Sequence, residues 1–319
     1  MSTATLSAPA ARRQGYTAIA LMAALFAVAP WVGFYPVYLM KCLCFALFAC
    51  AFNLLIGFGG LLSFGHAMFF GTASYVCAHA AKEWGLSPEL AILAGTAASA
   101  LLGAVTGALA IRRQGIYFAM ITLAMAQMIF FFYLQAPFTH GEDGIQAVPR
   151  GRLLGMVDLN QPMAMYYFVL VVFLAGFLLI HRVVHSPFGQ VLKAIRENEP
   201  RAISLGYDAD RYKWVAFLLS ATLAGLAGAT KAIVFQLASL TDVNWPMSGE
   251  VVLMTLLGGM GTIFGPVVGA FVIISLENYL AVFGQWVTVI TGVIFVVCVL
   301  AFRRGIVGEL AAWWERRKS

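Results

Sequence analysis

Long apolar runs with no polar stripe dominate the chain. Residues 169–180 and 287–302 are apolar on every side, whereas a membrane-barrel strand alternates apolar and polar residues over about 10 positions. Backbone polar groups in lipid must be paired within the protein, so helices are the remaining way to span the bilayer. The pattern predicts an all-α fold, a polytopic transmembrane helix bundle.

Ten apolar runs alternate with short polar connections. They cover residues 16–30, 37–56, 61–81, 90–111, 116–136, 163–181, 212–236, 251–260, 263–281 and 286–302. Because about 20 apolar residues span a bilayer as a helix, we expect roughly 8–10 spans, fewer than ten if a glycine-rich segment re-enters without crossing. Residues 16–308 form the predicted transmembrane domain, between tails at 1–15 and 309–319.

The first run admits two interpretations. Arg12 and Arg13 precede it, and residues 27–29 (Ala-Val-Ala) resemble a signal-peptidase site. A cleaved signal would be followed by a soluble stretch, but a second apolar run begins at residue 37. We therefore predict an uncleaved first span.

The charged residues orient the predicted spans. Most of the 20 Lys and Arg lie near the two termini, at 112–113 and in 182–213, and the positive-inside tendency makes these segments cytoplasmic. The connection 138–162 carries both signs and is predicted to lie outside. Apolar residues make up 61% of the chain and charged residues 11%, against about 45–50% and 25% in soluble chains. The net charge of +6 therefore indicates membrane orientation and no nucleic-acid partner.

Two glycine-rich segments interrupt the apolar runs. Residues 59–65 (GGLLSFG) resemble residues 258–265 (GGMGTIFG), with one residue inserted. Paired interruptions in two halves of a transporter indicate an internal pseudo-repeat with broken helices around a central path, although glycine also permits close helix packing. The predicted path residues are Asn53, Gly60, Ser63, His66, Glu250, Gly258 and Gly259. A hydrogen-bonded packing role for His66, and a helix-start cap for Glu250, are the alternatives.

The segment 186–206 predicts a short amphipathic helix pair at the cytoplasmic surface. Ser186 before Pro187 is typical of a helix start, and residues 188, 191, 192 and 195 make one apolar face. Pro200 can open a second short helix, and Gly206 suits its C-terminal stop. Two interpretations remain: a helix that rests on lipid, or a docking helix for a partner protein, which the mixed charges favour.

No catalytic motif accompanies these features. The sequence has no phosphate-binding loop, no His-Glu-x-x-His pair and no Gly-x-Ser-x-Gly turn. We expect no enzyme activity, no cofactor and no metal site, so that any ATP hydrolysis takes place in another chain. An ion-coupled secondary transporter is the competing class, but it would normally carry acidic or histidine relays in its spans. Lys41 and Lys231 lie near outer span ends and are expected to reach the headgroups.

Motifs along almost the whole chain carry a family resemblance. They are NLLIG at 53–57, GLLSFGHA at 60–67, RQGIYFA at 113–119, TLA at 122–124, SPFG at 186–189, AIRENE at 194–199, AISLG at 202–206, RYK at 211–213, AGLAG at 224–228, EVVLM at 250–254 and the run at 258–265. In these motifs the chain resembles the LivM-type permease subunits of ATP-binding-cassette importers for branched-chain amino acids. One departure is His140, which replaces a glycine of the usual Thr-Gly-Gly pattern.

The resemblance implies a function and a set of partners. It implies a multi-pass subunit of the bacterial inner membrane, with both termini cytoplasmic, that moves branched-chain amino acids by alternating access. The implied partners are ATP-binding-cassette ATPase subunits, a LivH-type permease, a periplasmic substrate-binding protein and the lipid bilayer. The segment 186–206 corresponds to the coupling helix, whose ATPase-docking residues are Phe188, Gly189, Val191, Leu192, Ala194, Ile195, Arg196, Glu197, Ala202 and Gly206. Relatives that carry urea, short amides or aromatic acids share these motifs and stay open as an alternative.

Overall fold

The computed structural model describes residues 8–153, 155–284, 286–301 and 305–309. Its helices are α1 (Ala8–Val28), α2 (Pro36–Asn53), α3 (His66–Lys82), α4 (Pro88–Ala110), α5 (Ile116–Gln135), α6 (Pro162–Val184), α7 (Pro187–Glu197), α8 (Glu199–Ser204), α9 (Ala209–Phe235), α10 (Trp245–Gly258), α11 (Gly265–Leu280) and α12 (Trp286–Ala301). Its strands are β1 (Ile145–Gln146), β2 (Arg152–Leu153), β3 (Val157–Asp158) and β4 (Leu237–Ala238). The basic C-terminal residues at 303–304 and 316–318 lie outside the described part of the chain.

The predicted all-α polytopic bundle is confirmed. Within the described residues, 6 helices are long and apolar enough to cross a membrane: α1, α2, α4, α5, α6 and α9. The other apolar runs form the shorter helices α3, α10, α11 and α12, of 17, 14, 16 and 16 residues. Helix α1 begins at Ala8, inside the segment predicted as an N-terminal tail.

The bundle has two distinct ends. One, called the α7 end below, carries α7 and α8. The other, called the loop end, carries residues 137–153 and 155–161. Strand β1 of this segment pairs antiparallel with β4, with Ile145 opposite Ala238. The contacts of Tyr16 with His181 and of Tyr166 with Phe26 show that α1 and α6 are antiparallel. Helices α2 and α4 run toward the α7 end like α6, and α9 runs toward the loop end like α1.

Helices α3 and α10 are short because the chain before each is not α-helical. Helix α2 continues into a π-helical turn at Leu54–Phe58, and residues 60–65 then run back into the bundle without helical structure. At the opposite end, residues 236–244 fold inward from α9, and Val243 packs against Gly71 in α3. The chain is thus interrupted before α3 at the α7 end (residues 54–65, called the first break below) and before α10 at the loop end (residues 236–244). Residues 258–265, which connect α10 to α11 at the α7 end, are called the second break.

The packing reveals an inverted internal arrangement. Helices α2 and α9 pack together, α3 and α4 pack on α9, and α10 and α11 pack on α2. The segments α2–α4 and α9–α11 thus have the same order of helices and equivalent contacts. Because α2 and α9 run in opposite directions, the second segment is inverted relative to the first, as in transporters with inverted repeats. The counterpart of residues 59–65 is therefore 236–244. The predicted match between 59–65 and 258–265 is wrong as a symmetry relation, since both of these segments lie at the α7 end.

Candidate functional site: the junction of α7 with two helix breaks

Helices α7 and α8 are held in a fixed position at the α7 end. The Ser186 hydroxyl accepts a hydrogen bond from the Gly189 amide at 3.4 Å, and the side-chain Oδ1 of Asn198 caps α8 by accepting from the Arg201 backbone amide at 3.1 Å. Glu199 accepts a 2.6 Å hydrogen bond from Lys213 of α9. The predicted helix pair is present, and side-chain caps and an ion pair fix it to the bundle.

The apolar face of α7 is turned toward the chain itself. Of the residues predicted to dock an ATPase, four are buried within the protein: Gly189, Leu192, Ile195 and Ala202. Phe188 and Val191 are half-buried, and Ala194, Arg196, Glu197 and Gly206 are exposed. The buried set anchors α7 and α8 on the bundle, so a partner can reach only the remaining predicted residues directly.

An aromatic groove lies beside the exposed part of α7. Phe188 stacks on Tyr212 with ring centroids 5.4 Å apart, and Tyr207 meets Tyr212 edge-on at 6.0 Å. These residues, with Val191 and Arg211, line a cavity of about 410 Å³ that opens to the surface. Next to it, the apolar side chains of Ile203 and Leu205 are 54% and 71% exposed.

Arg196 connects α7 to the first break. Its guanidinium donates a hydrogen bond to the carbonyl oxygen of Gly57 in the π-helical turn. Its aliphatic stem crosses Gly60, where an added Cβ would lie 2.9 Å from the Arg196 Cγ. Gly60 has a φ of +71°, which glycine adopts without steric cost. The arginine was predicted to face an ATPase, but its guanidinium contacts the permease.

Asn53 connects the first break to the second. Its side-chain amide donates to the carbonyl oxygen of Thr262 at 2.8 Å and accepts from the Gly261 amide at 3.0 Å. The side chain is almost fully buried, so these two bonds satisfy groups that water does not reach. Asn53 therefore joins the end of α2, just before the first break, to the second glycine-rich segment.

The second break is closely packed at its glycines. A Cβ on Gly258 would lie 1.9 Å from the carbonyl oxygen of Gly265, and Gly259 has a φ of +120°. Gly305, at the end of the described chain, packs against Gly259 as well. Both glycines predicted for this break are thus required by backbone contact or backbone conformation.

Ser63 and His66 are buried inside the bundle. The Ser63 hydroxyl accepts from the Gly65 amide at 3.2 Å, and Nε2 of His66 lies 2.8 Å from the Ser220 hydroxyl. Ser220 donates its hydrogen to the carbonyl oxygen of Ala51 at 2.6 Å, so His66 Nε2 must be the donor to Ser220. The geometry supports the packing interpretation of His66, which links α3 to α9 and, through Ser220, to α2.

Glu250 lies apart from the junction, toward the loop end. It is half-buried on α10 and contacts the carboxyl group of Glu277 on α11. Nζ of Lys41 on α2 is 3.6 Å from Glu277, so three helices bring charged side chains together here. Among the residues that the structure describes, no group of three or more His, Cys, Asp or Glu could hold a metal ion.

Lys231 does not reach the lipid headgroups, so that prediction is wrong. It is 9% exposed, and its Nζ lies 2.8 Å and 2.6 Å from the two carboxylate oxygens of Asp242. Asp242 belongs to the segment that folds back inward from the loop end, and this inward fold supplies the partner. Lys41, in contrast, keeps 36% of its side chain exposed.

Several polar residues of these contacts were not singled out in the sequence. Thr122 accepts from the Phe64 amide at 3.2 Å, and Ser248 accepts from the Ala67 amide at 2.9 Å. Both pair backbone groups that a broken helix leaves without a helical partner. A single hydroxyl in an apolar run carries no signal of this role, because its partner lies far away in the sequence.

His140 shows why the related pattern has glycine at its position. Its φ is +59°, a left-handed conformation that glycine adopts freely and other residues rarely do. Thr139 before it is buried and donates to the Tyr133 carbonyl oxygen at 2.6 Å. The loop end thus keeps the turn of the usual pattern although the glycine is replaced.

Comparison with known proteins identifies related sequences. The family model described as branched-chain amino acid transport system / permease component matches residues 35–300. The high-affinity branched-chain amino acid transport system permease protein LivM of Salmonella typhimurium is 24% identical over 277 residues, which cover 80% of this chain and 65% of that protein. LivM of Escherichia coli K12 matches with the same identity and coverage. The chain thus matches less than two thirds of the length of these relatives, 65% in each case.

A sugar permease is related as well. The ribose import permease protein RbsC of Bacillus subtilis is 30% identical over 242 residues, 69% of this chain and 70% of that protein. No solved structure matches the chain significantly.

Proposed function

The chain belongs to the family of permease components of branched-chain amino acid transport systems, and on this premise we propose that it is a LivM-type translocation subunit of an ATP-binding-cassette importer. It pairs with a LivH-type permease, receives substrate from a periplasmic binding protein and is driven by ATPase subunits on separate chains. It lies in the bacterial inner membrane with the α7 end and both termini in the cytoplasm.

The observation that carries this proposal is the surface presented by α7 and α8. The apolar side chains of Leu192 and Ile195 are covered by the protein itself, and Phe188 and Val191 are half-buried in the aromatic groove, so α7 has no fully exposed apolar face to rest on lipid. The exposed apolar residues are instead Ile203 and Leu205 beside the aromatic groove, among charged residues of both signs. A compact apolar surface with a polar rim suits a protein partner, and here we place the ATPase.

The proposed mechanism needs no chemistry on the substrate. ATP binding in the partner subunits displaces α7, and the displacement reaches the two helix breaks at the α7 end through Leu192, which lies 3.8 Å from a Cβ position on Gly59, and through Arg196. Movement of the breaks exchanges cavities open to either side. Glu250, half-buried near Lys41 and Glu277, is the charged residue that we place beside the path.

The proposed substrate is a branched-chain amino acid, by similarity to LivM. A sugar is the second candidate, because RbsC is related over a comparable share of both chains. Proteoliposomes with the ATPase, permease and binding-protein partners should accumulate labelled leucine and not labelled ribose when ATP is present. Accumulation of ribose alone would reject the amino-acid assignment, and accumulation driven by a proton gradient without ATP would reject the importer class.

Alanine substitution of both Ile203 and Leu205 should release the ATPase. Each side chain would lose apolar contact with the partner, and because both are more than half exposed, their truncation removes little packing in this chain and the permease should stay folded. We expect the amount of ATPase that co-purifies with the tagged permease to fall at least about tenfold, which corresponds to about 1.4 kcal/mol of binding free energy.

The matched control removes the same kind of surface from a helix that faces lipid. Leu93 and Leu101 on α4 are also exposed, at 62% and 70%. The Leu93→Ala, Leu101→Ala variant should retain the ATPase in full. Equal recovery of the ATPase in the two double variants would show that α8 is not the docking surface.

A further inference from the structure

Two side chains link α7 to both helix breaks in series. We propose that Arg196 and Asn53 act as positioning residues that transmit the movement of α7: Arg196 to the first break at Gly57, and Asn53 from there to the second break at Gly261 and Thr262. This inference rests on the proposed function and assigns Arg196 to transmission, not to contact with the ATPase.

The first link depends on the π-helical turn. A π-helical turn is wider than an α-helical turn and is uncommon, often occurring at functional sites. At Leu54–Phe58 it ends α2, where backbone carbonyl groups lack a helical partner. The charged Arg196 guanidinium supplies that partner at Gly57, and its stem lies across Gly60. A shift of α7 therefore acts on both sides of this turn.

The second link depends on the amide of Asn53. One planar group donates to the Thr262 carbonyl oxygen and accepts from the Gly261 amide, at 2.8 Å and 3.0 Å. Asn53 stands one helical turn before Gly57, and a Cβ on Gly57 would lie 2.1 Å from the Asn53 Oδ1. The Asn53 side chain thus packs directly on the residue that Arg196 holds.

The two breaks are the parts of this end that depart from regular helix. Gly60, Gly259 and Gly261 have φ values of +71°, +120° and +74°, and residues 60–65 are not helical. Helix α7, in contrast, is capped at Ser186 and packed on the bundle. Because hydrogen bonds tie this helix to both breaks, a displacement of the helix acts on both of them together.

The experiment uses the full complex with its partner subunits in proteoliposomes. Spin labels at Met260, beside the second break, and at Leu101, on α4, report the distance between them without ATP and with ATP and vanadate. We compare the wild-type chain with Arg196→Ala and with Arg182→Ala, which removes an exposed positive charge at the same end. The ATP hydrolysis rate and the uptake of labelled leucine are measured in the same vesicles.

In Arg196→Ala, ATPase recovery and ATP hydrolysis should be retained, but the ATP-dependent change in distance should be lost. Leucine uptake per ATP hydrolysed should fall about tenfold to a hundredfold, the range expected for losing a hydrogen bond from a charged group. Arg182→Ala should behave as wild type. Arg196→Lys, which keeps a charged donor of similar length, should restore part of both signals, and it serves as the test if the alanine variant does not fold.

The Asn53→Leu variant tests the series arrangement. It should show the same loss of movement, and the double variant with Arg196→Ala should be no worse than either single variant, because both interrupt one connection. A distance change that persists in Arg196→Ala, or additive losses in the double variant, would overturn this transmission while leaving the proposed function intact. A wild-type complex that binds no ATPase would overturn both.

Discussion

Replacing Lys231 with methionine should destabilise the protein by about 3–5 kcal/mol, because the change leaves the buried carboxylate of Asp242 without its cation. Asp242 is 2% exposed, and both of its carboxylate oxygens are within 2.8 Å of Lys231 Nζ. The pair joins α9 to the segment that folds inward before α10. Thermal unfolding of the purified protein in detergent should show a midpoint well below that of wild type.

Two further variants test whether the destabilisation comes from the buried ion pair and would not follow from the loss of any lysine in a membrane-spanning helix. Lys41→Met removes a partly exposed lysine whose Nζ is 3.6 Å from Glu277, and it should cost less than about 1 kcal/mol. The double change Lys231→Met, Asp242→Leu should recover much of the loss, since no unpaired charge then stays buried. Equal destabilisation by Lys231→Met and Lys41→Met would contradict the structural role of the pair.

Gly258→Ala should destabilise the second break although alanine favours helices. The new methyl group would lie 1.9 Å from the carbonyl oxygen of Gly265. Because this oxygen belongs to the backbone and cannot rotate away as a side chain could, α10 and α11 must separate. Overpacking of this kind costs about 1–3 kcal/mol or more, which exceeds the gain of about 1 kcal/mol from replacing glycine inside a helix. The unfolding midpoint should fall.

Gly249→Ala is the matched control on the same helix. A Cβ at Gly249 meets no atom within 4 Å among the described residues, so only the helix preference remains, and the unfolding midpoint should stay constant or rise. If both variants shift the midpoint in the same direction, close packing of the second break is not the cause.

The fold class and the helix pair at the α7 end could be predicted from sequence patterns alone. Both follow from local patterns: apolar runs specify helices in lipid, and the spacing around Ser186, Pro200 and Gly206 specifies short helices with their starts and stops. The glycine runs also predicted broken helices. The similarity between the two glycine runs did not predict the symmetry correctly. A short glycine-rich run indicates close packing, but it does not indicate at which end of the bundle the run lies.

How these elements meet could be read only from the folded bundle. That Arg196 bonds to Gly57, that Asn53 joins two segments more than 200 positions apart, and that Lys231 pairs with Asp242 all depend on chain segments folding back beside one another. The residue types are ordinary, and their partners follow no periodic spacing along the chain. Local preferences therefore specify the helices, whereas packing across the bundle decides which polar groups must find each other away from water.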